Sequence, residues 1–196
     1  EVMSKTTKVR LGGGGGEGTI LASRVLAQLL LDAGFDVKMS EVHGMAQRGG
    51  SVTTHVRFGP RVDAPTISPG QAHFIVAFEC MEAARYAHYL REDGVVVANT
   101  RRIPSLPILI GREAYPDDIP GRLAARGIDA HWLDASAIAA SLGNVRVENT
   151  VLLGAFSSLV AFPEDDWRQA LGAVIPAEHI ELNLAAFAAG RRLTQQ

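Results

Sequence analysis

The chain has 196 residues, 47% of them hydrophobic and 20% charged, with a formal net charge of −2. That balance excludes a disordered chain, suits a globular domain with a substantial core, and provides no basic surface for nucleic acid. The single cysteine, Cys80, excludes an internal disulfide and cannot supply the several thiolates of an iron–sulfur cluster. The longest apolar stretch, Val25 to Ala33, is interrupted by Gln28 and Asp32 and is too short to cross a bilayer. Glu1 to Lys5 lack the basic-then-apolar build of a signal peptide, so the expectation is a cytoplasmic chain that touches neither membrane nor nucleic acid.

In chain order, Val9-Arg10-Leu11 predicts a strand running into Gly12 to Gly16 and then Glu17-Gly18. Ala22, Val25, Leu26, Leu29 and Ala33 recur with helical spacing, and Gly34 ends that helix. Strands are expected at Asp36 to Val42 and at Ser51 to Phe58, where Val52, Thr54, Val56 and Phe58 share a face. Phe74 to Phe78 reads as a buried strand, Met81 to Leu90 as a helix, and Asp93-Gly94 as a turn into the strand Val95 to Ala98. Pro107 to Ile110 is expected as another short strand. From Ala135 the pattern is helical, with Asn149 as a cap ahead of Leu152, Ala155, Phe156 and Leu159. Pro163 with the acids after it opens a further helix, and Ile180, Leu184 and Phe187 mark the last. Alternating strands and helices predict a three-layer, Rossmann-like α/β domain with a mostly parallel sheet and a helical C-terminal part, spanning residues 1–196 as one unit.

Strand, glycine run and helix together make a phosphate-cradling layout, because absent Cβ atoms admit a ligand and the helix N-terminus presents free N–H groups. Gly13, Gly15 and Gly18 satisfy G-x-G-x-x-G, and Glu41 ends the next strand where a ribose-binding acid could sit. Gly16 completes the run. Against a bound dinucleotide stands Glu17, whose carboxylate would oppose an anion at that helix start. The alternative is that the glycines form a tight strand-to-helix turn against which something packs closely.

The most distinctive run is Ser40 to Val52, which has neither helical nor strand periodicity and is interrupted by Gly44, Gly49 and Gly50. It reads either as a solvated loop or as a loop shaped for a partner or ligand. The six histidines include no metal-ligand spacing; His43 and His55 could be neighbours across the sheet, with a satisfied structural histidine as the alternative. Cys80 reads as core, and Asn149 and Asn183 as a cap and a structural hydrogen-bonder. Glu41 with Arg48, then Glu79 with Arg85, are the polar pairs of interest.

The glycine loop and this segment resemble the gamma-type subunit of 2-oxoacid:ferredoxin oxidoreductases. That family's loop, G-x-G-G-Q-G, is matched by Gly13, Gly15, Gly16 and Gly18, with Glu17 in place of Gln. Its second pattern, E-x-x-G-M-x-Q-R-G-G-S-V, is matched by Glu41, Gly44, Met45, Gln47, Arg48, Gly49, Gly50, Ser51 and Val52. Further resemblance lies in Phe78-Glu79 with Ala83, Ala84 and Arg85, and late in the chain around Asn149, Leu153-Gly154, Asn183 and Gly190. Gln47-Arg48-Gly49-Gly50-Ser51 is most similar to the indolepyruvate branch. The resemblance implies a subunit that is not itself catalytic. Thiamine diphosphate, magnesium and iron–sulfur clusters would reside on partners, a thiamine-carrying large subunit and a ferredoxin-type subunit or domain. The chain would dock near the active site and the coenzyme A path, through Glu41, His43, Gly44, Gln47, Arg48, Gly49 and Gly50 and through Glu79 and Arg85. A homodimer is the alternative for the isolated chain. The other readings are a self-contained NAD(P)- or flavin-binding oxidoreductase using the glycine loop, and a free-standing binding module.

Overall fold

The computed structural model describes residues 6–14, 18–43 and 51–194. Six strands form one mixed sheet in the order β2-β3-β1-β4-β5-β6. These are β1 (Thr7–Gly14), β2 (Asp36–His43), β3 (Ser51–Gly59), β4 (Ala72–Ala77), β5 (Leu90–Asn99) and β6 (Asp129–Leu133). β4 lies parallel to β1, β5 to β4 and β6 to β5, whereas β3 runs antiparallel to both β1 and β2. The mostly parallel sheet thus carries an antiparallel hairpin on one flank.

Helices cover both faces, as a parallel sheet requires. One face packs Val9, Leu11, Val56, Val76 and Val97 under α1 (Thr19–Asp32), α5 (Ala135–Ser141), α6 (Glu148–Ser157), α7 (Glu164–Val174) and α8 (Ala177–Leu193). The other packs Ile75, Ala77, Val96 and Ala98 under α2 (Cys80–Tyr86) and α4 (Ile119–Ala124). The alternation Val76 against Ile75, and Val97 against Val96, is the two-residue period of strands buried on both sides. Every residue of α6 is buried, so it lacks the polar stripe of a surface helix. It lies against α8 with almost no separation. A Cβ on Gly154 would strike the Phe187 carbonyl, and one on Gly190 would strike the Val151 carbonyl.

On the second face Arg10, 3% exposed, lies between two tyrosines, its guanidinium 4.1 Å from the Tyr86 ring centre and 3.8 Å from that of Tyr89. Cation–π attraction of this kind is strongest where water is excluded. Its Nη1 lies 2.6 Å from His55 Nε2, and Ile67 N–H donates to His55 Nδ1 at 3.0 Å. With Nδ1 accepting from Ile67, the ring sits beside the Arg10 cation in a site closed to water. Burial first, and the Arg10 charge second, hold the His55 pKa down at about 4.

Several expectations are corrected. Pro107 to Ile110 is not a strand: Pro107 to Leu109 lie in α3 (Leu106–Leu109) and Ile110 caps it, because Pro107 suits a first helical turn and cannot donate to a sheet ladder. The helix expected over Met81 to Leu90 ends at Tyr86, a 3₁₀ turn spans Ala87–Tyr89, and β5 already begins at Leu90. Asp93-Gly94 is therefore no turn; it lies within β5 at an irregularity in the β4–β5 register. Asn149 does not cap α6, whose cap position is Val147. His43 stands opposite Val52, while His55 stands opposite Ser40, so the two histidines are not paired across the sheet. β1 also reaches further than expected: Gly12, Gly13 and Gly14 belong to the strand.

Replacing Gly190 with alanine forces α6 and α8 apart. The expected loss is about 1–3 kcal/mol, the usual cost of overpacking, read as a lower midpoint in urea unfolding with an unchanged slope. An unaltered midpoint would show that the helices can separate freely. Stability should also depend on pH. Burial, with help from Arg91 and Lys8, brings the His73 pKa to about 4 as well, from the ordinary 6.5. Both imidazoles bind a proton less readily folded than unfolded, so the unfolded chain takes up more protons between pH 6.5 and 4. Stability is complete above that window and falls as pH drops through it. Denaturant titrations at pH 7, 5.5 and 4.5 should record the fall, and a His55→Gln, His73→Gln double variant should flatten it.

Candidate functional site

The parallel strands bring their C-terminal ends to one edge of the sheet, at Gly14, Ala77, Asn99 and Leu133. β3 runs the opposite way, so its first residues meet the same edge: Gly13 pairs with Val52, and Val52 pairs with His43 at the end of β2. Both candidate segments therefore emerge here. Residues 15–17 and 44–50 themselves lie outside the described residues, and with them Gly15, Gly16, Glu17, Gly44, Gln47, Arg48, Gly49 and Gly50. β1 hands the chain to α1 on one face, while β4 hands it to α2 on the other. The gap between those two strand ends is a topological switch point, where open α/β sheets form their crevice.

Gly18 caps α1 with φ +78°, a conformation that favours glycine. The side chain of Asn149, from α6, lies directly over it: a Cβ there would collide with the Asn149 amide, whose Nδ2 donates to the Gly18 carbonyl at 3.4 Å. The start of α1 is thus covered by a neighbouring helix, which disfavours a diphosphate in that position. Glu41 stands in β2 opposite Thr54, half-buried.

Glu79 turns inward. It is 3% exposed, and its carboxylate accepts from Ile103 N–H at 3.0 Å, from the Tyr115 hydroxyl and from Glu82 N–H at 3.2 Å, the last as the cap of α2. The side chain expected to face a partner is instead the internal knot that ties residues 103 and 115 to the start of α2. Burying a carboxylate is costly unless several donors bond it. The same surroundings raise the Tyr115 pKa, through burial and then through Glu79. Burial, followed by the Glu79 charge, likewise raises that of Cys80, which is a buried thiol. Arg85 lies in the last turn of α2 and pairs with the buried Glu82 at 3.1 Å, its own side chain 45% exposed.

Beside this knot, Arg101 pairs with Glu148, which also accepts from Ser136 Oγ at 2.6 Å. Asn99 Oδ1 accepts from Ala135 N–H at 3.2 Å and so joins the ends of β5 and β6. None of these contacts was legible beforehand, since Arg101 and Glu148 are 47 positions apart. Two buried amide atoms at this edge, Asn99 Nδ2 and Asn149 Oδ1, have no hydrogen-bond partner among the described residues. Asn183 is the structural hydrogen-bonder foreseen, accepting from Thr150 Oγ1 at 2.6 Å and donating to the His179 carbonyl at 2.9 Å. Among the described residues no cluster of three or more His, Cys, Asp or Glu could hold a metal ion, and no helix is long and apolar enough to cross a membrane.

Comparison with known proteins agrees with this architecture. The Geobacter sulfurreducens keto/oxoacid ferredoxin oxidoreductase gamma subunit superposes with a TM-score of 0.72 at 22% identity, covering 96% of this chain and 98% of that one. The Magnetococcus marinus 2-oxoglutarate:ferredoxin oxidoreductase chain gives a TM-score of 0.75 at 23% identity, but only 31% of its length is covered, so there the same fold is one part of a longer polypeptide. In sequence, the Thermococcus kodakarensis indolepyruvate oxidoreductase subunit IorB is 34% identical, over 98% of both chains. Its Archaeoglobus fulgidus counterpart is 36% identical over 91% of this chain and 90% of its own. The model of the pyruvate ferredoxin/flavodoxin oxidoreductase family matches residues 8–193. This chain belongs to that family.

Proposed function

We propose that the chain is a docking subunit without catalytic groups of its own, in a complex that oxidatively decarboxylates a 2-oxoacid to an acyl-CoA and reduces ferredoxin. Thiamine diphosphate, magnesium and the iron–sulfur clusters belong, on this reading, to the thiamine-carrying large subunit and a ferredoxin-type subunit or domain. The observation that carries it is the convergence, on one sheet edge, of the strand ends that bear the glycine loop and the Glu41–Gly50 segment. The single cysteine supports assigning the clusters elsewhere. The indolepyruvate-type relatives and the run Gln47-Arg48-Gly49-Gly50-Ser51 support an aryl 2-oxoacid as the substrate of the complex.

In this reading Arg48 supplies a planar guanidinium fork to a carboxylate or phosphate across the interface, with coenzyme A as one source of such a group, and Gly49 and Gly50 let the backbones approach. The self-contained NAD(P)- or flavin-binding alternative rests on the glycine loop alone. Asn149 over Gly18 opposes it, as does the carboxylate of Glu17.

Reconstitution, substitution of Arg48 and calorimetry check these statements. The isolated chain should show no 2-oxoacid oxidation, and adding the large subunit should restore ferredoxin reduction. Arg48→Glu should lower that restored rate at least tenfold without shifting the melting temperature, while Arg24→Glu, on the exposed side of α1, should change neither. A rate unaffected by Arg48→Glu removes the segment from the interface. Calorimetry with NAD and NADP at neutral pH should give no heat of specific binding, and micromolar affinity for either would favour the dinucleotide reading.

A further inference from the structure

The segment after β5 carries an exposed apolar group at the same sheet edge. Leu106, Leu109 and Ile110 are 68%, 69% and 54% exposed, an exposure that an isolated fold gains nothing from. They are not loosely held. Ile103 N–H and the Tyr115 hydroxyl both bond the buried Glu79 carboxylate, and Tyr115 in turn accepts from Met81 N–H at 3.0 Å. Residues 103–115 are therefore an excursion pinned at both ends, with α3 at its tip. Where this excursion returns to the fold, α2 and α4 enclose a cleft of about 340 Å³ lined by Met81, Ile119 and Leu123 and by Arg85, Arg122 and Arg126.

The charge of the region selects its partner. Residues 100–126 hold five arginines against three acids, in a chain whose net charge is −2. Arg101 is paired with Glu148 and Arg102 lies over the Tyr115 ring, whereas Arg122 and Arg126 have no carboxylate partner among the described residues. A second copy of this chain, docked face to face about a twofold axis, would set these cations against each other. An acidic surface on a different chain would not.

Resting on the subunit reading above, we propose that α3 and the arginine-lined cleft form a second docking surface, which seats the apolar tip in a hollow of the large subunit and receives acidic side chains from its rim. The tip supplies the buried anchor, and the arginines supply orientation and speed of association. Electrostatic attraction of this kind weakens with salt, because exposed charges are screened over a Debye length of about 8–10 Å.

The test uses the full chain and the large subunit of the same organism, with the dissociation constant measured at low and high salt. Leu106→Asp with Leu109→Asp should weaken binding at least tenfold. Arg122→Glu with Arg126→Glu should weaken it and reduce its salt dependence. Leu31→Asp, at an exposed leucine (56%) at the far end of α1, should leave it unchanged. Melting curves identify any variant that fails to fold, and Leu106→Ser with Leu109→Ser then serves as the milder pair. If the parent chain binds the large subunit and the folded α3 variants bind it equally well, the surface assignment is overturned and the subunit reading stands. If the parent chain does not bind at all, both fall. If the α3 variants convert a dimer of the isolated chain to monomer with no change in affinity for the large subunit, the face is a self-interface and the proposal is wrong.

Discussion

Backbone surfaces that approach without an intervening side chain are the constraint on which this architecture hangs. α6 can be wholly buried only because Gly154 and Gly190 let α8 close over it, and α6 in turn delivers Asn149 to the start of α1. At that start, Gly18 must be a glycine twice over, for its positive φ and for the amide packed against it. A methyl group at any of these points would move a helix, and the helices set where the edge segments leave the sheet.

The polar interior is arranged around the same edge. Glu79 gathers donors from three places far apart in sequence and thereby fixes the path of the chain after β5. Arg101 after β5, Ser136 of α5 and Glu148 of α6 repeat the device beside it. Each carboxylate costs desolvation to bury and recovers it only through charge-assisted hydrogen bonds. Such groups serve to hold loops in place more than to add stability.

The Arg10 cage belongs to a different part of the molecule. A buried cation between two tyrosine rings, next to a neutral histidine, keeps the second face of the sheet closed beneath α2. Its cost is sensitivity to acid, because a protonated histidine there would be a second buried cation beside Arg10.

By itself the sequence determined the α/β class, the first helix, most strand positions and the family, since these rest on local periodicity and on contiguous motifs such as Glu41 to Val52. It also marked the glycine run and the Glu41–Gly50 segment as places of interest. It misjudged Pro107 to Ile110, where a short apolar run has no period to separate strand from helix, and it did not reveal β6. Only tertiary structure decided that β3 runs antiparallel and so returns the second segment to the same edge as the glycine loop. Only tertiary structure turned Glu79 from a surface contact into an internal knot and left α3 exposed. The reason is physical: direction of pairing and burial of charge depend on groups tens of residues apart, whose encounter no local pattern records.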